Sequence, residues 1–399
     1  MTNSRVLSLR QVSRSFYPSV DEVVARDRPA EPLVCVRPAT ITTAARRFIA
    51  GFAGDVLYAV KCNPEPRALR AVWDGGVRHF DCASLPEIAL VRRVLPDAEV
   101  HFMHPVKGRG AIHDAFHRYG VTDFVFDSSD ELEKIVQETV PVELVGAPPT
   151  LGLFLRLAVP QGGSYDLSGK FGVGIEEAAA LLHAARPHAV RLGIAFHVGS
   201  QCLDPAAYAR AMALAAEAAA LSGVAIDIVD VGGGFPVSYP EIVPPPLGDY
   251  MEAIGAAAAV LGDGVRLWAE PGRALVAGGG SVVVQVQLRR GDALYVNDGV
   301  YGSLSDAGRP AFRFPARRIR PDTPDDGATR LHEFVLFGPT CDSADRMQGP
   351  FRLPDDIDEG DWIELGQLGA YGACLRTGFN GFETVLTTEV ADPPMLATP

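Results

Sequence analysis

Between residues 56 and 269 the chain repeats one pattern: a short apolar run, a breaker, then a stretch with helical periodicity. The apolar runs are residues 56–60, 79–82, 99–103, 123–126, 151–157, 191–196, 226–231 and 266–269. Helical patterns lie between them, at 65–73, 85–95, 111–119, 129–138, 176–186, 205–221 and 247–261. Short apolar strands alternating with helices predict a parallel sheet, and eight of them predict a (β/α)8 barrel of the TIM type. An open doubly wound sheet is the rival. It normally has fewer strands and a glycine-rich fingerprint after the first one, which this chain lacks. The helix near 205–221 has the plainest ends, with Asp204 as cap, Pro205 in the first turn and Gly223 as the stop.

After Pro271 the texture changes. Residues 281–288, 293–297, 333–337 and 362–365 alternate with period two, glycine and proline punctuate them, and helical signals vanish. That pattern predicts an antiparallel β domain. The expected organisation is an N-terminal segment, 1–36, packing on the β domain through a strand at 33–36; a barrel, 37–274; and the β domain, 275–399.

Composition excludes several classes. Hydrophobic residues make up 47% and charged residues 21% of the 399, enough to bury a large core. A formal charge of −13 argues against general nucleic-acid binding, which needs a basic face. The six cysteines form no CxxC pair or metal-ligand spacing, so neither a disulfide framework nor a metal site is expected. The start, Met1-Thr2-Asn3-Ser4-Arg5, has no leader pattern, and no apolar run is long enough to span a membrane. A cytoplasmic protein with no membrane partner is the expectation.

In a barrel of this kind the chemistry sits at the C-terminal ends of the strands. Those ends carry Lys61, Asp81, His104, Asp127, Arg156, His197, Gly232-Gly233-Gly234 and Glu270. Each alone has an ordinary structural reading: a solvated lysine, a capping aspartate, a core histidine, a tight turn. So many ionisable or glycine residues at one rim are harder to dismiss. Gly232-Gly233-Gly234 lets backbone N–H groups approach an anion. Glu270-Pro271-Gly272-Arg273 opens toward a guanidinium suited to phosphate. His197-Val198-Gly199-Ser200 adds an imidazole and a hydroxyl. With an amine able to form a Schiff base, these groups describe a pocket for pyridoxal 5'-phosphate.

The motifs Tyr58-Ala59-Val60-Lys61-Cys62-Asn63, Phe80-Asp81-Cys82-Ala83-Ser84, Phe196-His197-Val198-Gly199-Ser200, Gly232-Gly233-Gly234-Phe235 and Glu270-Pro271-Gly272-Arg273 resemble the fold-type III pyridoxal phosphate decarboxylases. Asp298-Gly299-Val300-Tyr301-Gly302-Ser303, Gly338-Pro339-Thr340-Cys341-Asp342, Gly369-Ala370-Tyr371-Gly372 and Phe379-Asn380-Gly381-Phe382 resemble their ornithine/lysine branch. The resemblance implies that Lys61 holds the cofactor as a Schiff base near Asp81, His197 stacks on its ring, and Glu270 pairs with the ring nitrogen. It also implies that Ser200, Gly234, Arg273 and Tyr371 hold the phosphate, with Arg156, Gly233 and Gly272 lining the same pocket. Cys341 would protonate the product carbon and Asp342 would accept a distal ammonium, both from the second subunit of a homodimer. Tyr301, Asp306 and Phe379 would complete the substrate pocket.

The implied reaction is α-decarboxylation of ornithine, lysine or both to putrescine or cadaverine. Arginine and diaminopimelate decarboxylation are the alternatives within the fold, and a non-catalytic, decarboxylase-like regulator is the alternative outside enzymology. In residues 303–310 the sequence offers Asp306 as a second substrate acid, at an offset different from that of the animal ornithine enzymes.

Overall fold

The computed structural model describes residues 16–139, 150–160, 162–165, 169–262, 264–308, 313–321 and 330–396. The start of the chain, considered above for a leader, lies outside them, as do residues 309 and 310. The chain divides into two compact units. One comprises Thr42–Val237 and Pro244–Leu275; the other comprises Met1–Ile41, Ser238–Val243 and Val276–Thr398. No helix among the described residues is long and apolar enough to cross a membrane.

Strand β1 (Leu33–Val36) belongs to the second unit. The first unit contains β2 (Asp55–Ala59), β3 (His79–Cys82), β4 (Glu99–Phe102), β5 (Asp123–Phe126), β6 (Leu151–Arg156), β7 (Gly163–Tyr165), β8 (Ala189–Ala195), β9 (Ser200–Cys202), β10 (Ile228–Asp230) and β11 (Arg266–Ala269). Eight of these close into a barrel in the order β2-β3-β4-β5-β6-β8-β10-β11, and β7 and β9 pair separately as an antiparallel ribbon. The (β/α)8 expectation holds, with strand ends shifted by a residue or two.

One shift matters for the site. Val60, read as the end of a strand, instead opens a 3-10 turn, Val60–Cys62, closed by Asn63 N–H donating to Val60 O at 3.1 Å. Lys61 therefore sits on a tight turn at the barrel mouth rather than on the sheet. The following helix, Pro66–Asp74, starts under Glu65, whose carboxylate accepts from Arg67 N at 2.6 Å and Ala68 N at 3.2 Å. Asp204 caps the helix Ala206–Ser222 by accepting from Ala206 N at 3.0 Å, and Gly223 ends it in the left-handed conformation.

The barrel is filled, not hollow. Leu57, Met103, Val125, Phe154, Ala195, Ile228 and Trp268 form one buried cluster. Phe154 and Trp268 stack with centroids 4.7 Å apart. A Cβ at Gly193 would lie 2.5 Å from the Phe154 ring, so β8 carries glycine where that ring needs room. At the N-terminal ends of the strands a polar chain closes the floor. Arg191 Nη2 donates to Asp123 Oδ1 at 2.6 Å, Asp123 Oδ2 lies 2.8 Å from His101 Nδ1, and His101 Nε2 lies 3.1 Å from His79 Nδ1. The floor is built for stability, leaving the opposite rim for chemistry.

The second unit holds an eight-stranded sheet. Its core path β14-β17-β12-β13-β15-β16 uses β12 (Gly280–Arg290), β13 (Ala293–Val296), β14 (Ala316–Ile319), β15 (Leu331–Phe337), β16 (Arg346–Pro354) and β17 (Trp362–Leu365). β1 lies between β12 and β18 (Leu386–Glu389), antiparallel to the first and parallel to the second. Most ladders are antiparallel; β13 and β15 also run parallel. Tyr17, Val20, Val23 and Val24 pack with Val283 and Trp362 in this unit's core. Arg37 fastens the same region, donating to Glu364 Oε1 at 2.9 Å, Ser281 Oγ at 2.9 Å and Asp392 Oδ1 at 3.1 Å. Ser238–Val243 falls inside the span expected for the barrel but clusters here. Gln367 Nε2 donates to Ser238 O at 2.6 Å, and Tyr239 meets Phe314 edge-on at 5.1 Å.

Candidate active site

At the barrel mouth Lys61 Nζ donates to Asp81 Oδ2 at 2.7 Å. The parallel register of β2 and β3 sets this pair, because Ala59 lies opposite Asp81. The lysine side chain is 41% exposed and the aspartate 1%, so the amine is reachable while its counter-ion is fixed. Asp81 Oδ1 is buried and meets no donor among the described residues.

The loop after β8 places His197 above the barrel. Gly199 N–H donates to His197 Nδ1 at 3.0 Å, which puts the proton of a neutral ring on Nε2. Its depth in the mouth, with the charges of Arg156 and Lys61, lowers its pKa to about 3. At neutral pH it is an uncharged, flat ring with part of its surface open.

Against it lies the triple glycine. Gly232 and Gly234 have φ of +70° and +100°, and a Cβ on them would approach Phe196 O to 2.1 Å and Gly199 O to 2.4 Å. A Cβ on Gly233 would sit 3.2 Å from His197 Nε2. Glycine alone lets this backbone lie against the histidine loop. Cys202 N–H donates to Gly234 O at 2.9 Å and Tyr208 Oη to Gly233 O at 2.9 Å, which fixes both carbonyls. Ser200 opens β9 beside this turn and is partly exposed.

Glu270-Pro271-Gly272-Arg273 presses on the lysine turn. Ala59 N–H donates to Pro271 O at 3.3 Å, and a Cβ on Gly272 would lie 2.9 Å from Cys62 Cβ. Arg273 is buried at the start of the short helix Arg273–Val276. Arg156 ends β6 opposite Ala195 of β8 and is half-buried. Lys61, Asp81, Arg156, His197, Ser200, Gly233, Gly234, Glu270, Gly272 and Arg273 thus share one rim.

Glu270 does not stand alone. Asp230, at the end of the neighbouring strand, is fully buried and accepts from Gly232 N at 2.8 Å. Burial, then the charge of Asp230, pushes Glu270 well above the usual carboxyl range, and burial raises Asp230 to about 6. Asp230 was not among the sequence candidates, although it opens the Asp230-Val231-Gly232 stretch.

The second unit gathers the remaining candidates. Tyr301 Oη donates to Asp342 Oδ2 at 2.5 Å, and Ala344 N–H donates to Asp342 Oδ1 at 2.9 Å. The backbone donor and then the tyrosine hold Asp342 below the usual carboxylate range. Phe379 packs on Tyr301 with centroids 4.9 Å apart. Cys341 is exposed, its N–H donates to Asn380 Oδ1 at 3.1 Å, and it lines a cavity of about 500 Å³ with Asp342, Thr340, Phe337 and Tyr295. The Asn380 contact was not read from sequence. Asp306 is buried in a 3-10 turn, and Tyr371 is half-buried with a left-handed φ of 53°.

Residues 39–277 match the family model described as pyridoxal-dependent decarboxylase, pyridoxal binding domain. The lysine/ornithine decarboxylase of Selenomonas ruminantium is 31% identical, over 86% of this chain and 85% of its own. Antizyme inhibitor 2 of Xenopus laevis is also 31% identical, over 82% of this chain and 73% of its own. The structure of the Paramecium bursaria Chlorella virus arginine decarboxylase bound to agmatine superposes with a TM-score of 0.80 at 28% identity, covering 93% of this chain and 99% of that one.

Proposed function

The chain belongs to the pyridoxal-dependent decarboxylases, and from that premise we propose that it removes the α-carboxylate of ornithine or lysine, releasing CO2 and putrescine or cadaverine. Pyridoxal phosphate-dependent decarboxylation of basic amino acids is the family's own activity.

The rim suits the cofactor. The glycine turn lies against the histidine loop so closely that no Cβ fits between them, and an exposed amine stands beside a fixed carboxylate. When bound, pyridoxal phosphate supplies an electron sink for the carbanion left as CO2 departs. Lys61 would hold it covalently, and Asp81 would keep that nitrogen charged. The N–H groups of Gly233 and Gly234, the Ser200 hydroxyl and Arg273 would take the phosphate. His197, neutral and flat, would lie against the ring without competing for its charge, and Glu270 would face the ring nitrogen. Orientation by these groups selects which bond at Cα breaks.

Recognition of the substrate's far end rests on Asp342. One observation carries the choice of a diamino acid: both oxygens of this carboxylate already accept hydrogen bonds, from Tyr301 and Ala344, which aims a single negative charge beside Cys341. A compact ammonium needs one such charge. A distal carboxylate, as in diaminopimelate, would be repelled by it. The Tyr301–Phe379 contact gives the methylene chain an apolar wall. Cys341 would hand a proton to Cα. We assign Cys341 and Asp342 to the site of the partner subunit in a homodimer, an isologous arrangement that makes two shared sites.

The test is CO2 release from ornithine, lysine, arginine and diaminopimelate by the pyridoxal phosphate-loaded protein. The expected order puts ornithine and lysine first in kcat/KM, with Lys61→Ala inactive on both. Preference for arginine or diaminopimelate refutes the assignment of the far end. No turnover on any substrate, with the cofactor bound, leaves a regulatory binding protein.

A further inference from the structure

Asp230 and Glu270 end adjacent parallel strands and are no more than 5% exposed. Asp230 Oδ1 is fixed by Gly232 N–H at 2.8 Å, and Glu270 N–H donates to Gly232 O at 2.8 Å, so one glycine holds both strand ends. Asp230 Oδ2 meets no hydrogen-bond donor among the described residues. What faces it is the carboxyl of Glu270, within hydrogen-bonding reach once a proton lies between them. The charges around the pair are Asp81 from β3, Lys61 from the turn after β2 and Arg156 from the end of β6. Lys61 is already paired with Asp81. Two buried carboxyls in contact do not both ionise, so the pair retains one proton. The Gly232 N–H donated to Asp230 favours the ionised form there, which leaves the retained proton to Glu270.

We propose that Asp230 is a positioning residue for the cofactor: its carboxylate keeps Glu270 as a protonated acid that gives the ring nitrogen its proton and then opposes the loss of that proton. The inference rests on the reading that Glu270 faces the ring nitrogen. The proton leaves a Glu270 carboxyl oxygen and joins the nitrogen lone pair, so charge is conserved and no proton is drawn from water. Afterwards the cationic ring faces two carboxylates in place of one. Without the Asp230 charge, Glu270 ionises before the cofactor arrives, and the ring's proton is held by a single anion.

The test uses full-length protein loaded with ring-15N pyridoxal phosphate, whose nitrogen resonance separates the protonated from the free base. Asp230→Asn keeps an oxygen for Gly232 N–H and turns an amide N–H toward Glu270. The wild type is expected to keep its ring proton to a pH at least about one unit higher than Asp230→Asn. Equal titration of the two overturns the proposal. Glu270→Gln separates this failure from that of the underlying reading. If it lowers the titration while Asp230→Asn does not, only the Asp230 role fails; if it too behaves as wild type, Glu270 does not face the nitrogen and both fail. Should the Asp230 variant not fold, carboxyl-13C labelling of the cofactor-free wild type decides. One protonated carboxyl in this pair at pH 7 supports the proposal, and two ionised ones overturn it.

Discussion

Gly234→Ala probes the cradle most directly. The residue has φ of +100°, and its new Cβ would sit 2.4 Å from Gly199 O, where ordinary contact needs 3.4 Å or more. The two loops must therefore part by about 1 Å, close to a full clash radius of overpacking. Neither loop is free to move, because Cys202 N–H is bonded to Gly234 O and Gly199 N–H to His197 Nδ1. The left-handed backbone costs an L-residue about 1–2 kcal/mol, and overpacking adds about 1–3 kcal/mol. Together they give about 2–5 kcal/mol, divided between the fold and the cofactor site. With half of it falling on the site, pyridoxal phosphate affinity drops roughly fivefold to seventyfold. Absorbance titration of cofactor-free protein measures that loss, and thermal melting with and without cofactor measures the rest. Gly255→Ala is the control: it lies in the helix Leu247–Ala258 with nothing near its Cβ, and should stabilise by up to about 1 kcal/mol. A Gly234→Ala protein that melts with the wild type and binds the cofactor within about twofold would refute the cradle argument.

Tyr301→Phe removes one of the two donors that aim Asp342, so it should raise KM for the diamino acid more than it lowers kcat; an unchanged KM would detach Tyr301 from recognition. Cys341→Ala should slow turnover and divert protonation away from Cα, read as a changed product distribution, and an unaltered distribution removes Cys341 from that step. Floor stability should depend on pH in one direction. Burial lowers the His79 pKa below 6.5, so unfolding takes up a proton as pH falls past 6.5 and stability is lost there. Burial acts against ionised Asp123, but its bonds to His101 and Arg191 hold it below 3.8, so its contribution is full above that value and lost only in stronger acid. Urea melts between pH 8 and 5 should show His79→Gln with a flatter profile than the wild type, and equal slopes would refute the assignment.

The barrel was legible because its strands are apolar runs with ionisable or glycine residues at their ends, and closure of eight strands leaves one rim for those ends. Val60 was misread because an apolar residue continues the strand pattern while the local hydrogen bond from Asn63 bends the chain. Strands β14, β16 and β18 escaped notice for another reason. β14 carries Arg317 and Arg318 in its middle, which breaks the period-two signal; β16 alternates but has the turn signal Gly349-Pro350 at its centre; and only Thr388 of β18 is buried. The Asp230–Glu270 contact joins residues forty apart through the register of β10 and β11, which no local pattern encodes. Lys107 is similar: it looks like a loop cation, yet it is buried and donates to Val125 O at 2.6 Å beside Glu131.

The position of β1 between β12 and β18 bears on the order in which the two units can be completed during synthesis. The barrel draws its strands from a nearly continuous stretch ending at β11, so its closure can begin while the later sheet is still being translated. The sheet cannot finish that early. β1 emerges first and must wait for β12 and then β18 to cover its two edges, and Arg37 waits as long for Glu364 and Asp392. An unpaired apolar edge held open through most of translation is a template for mispairing with another chain. Shortening the chain before Leu386 would make that temporary exposure permanent.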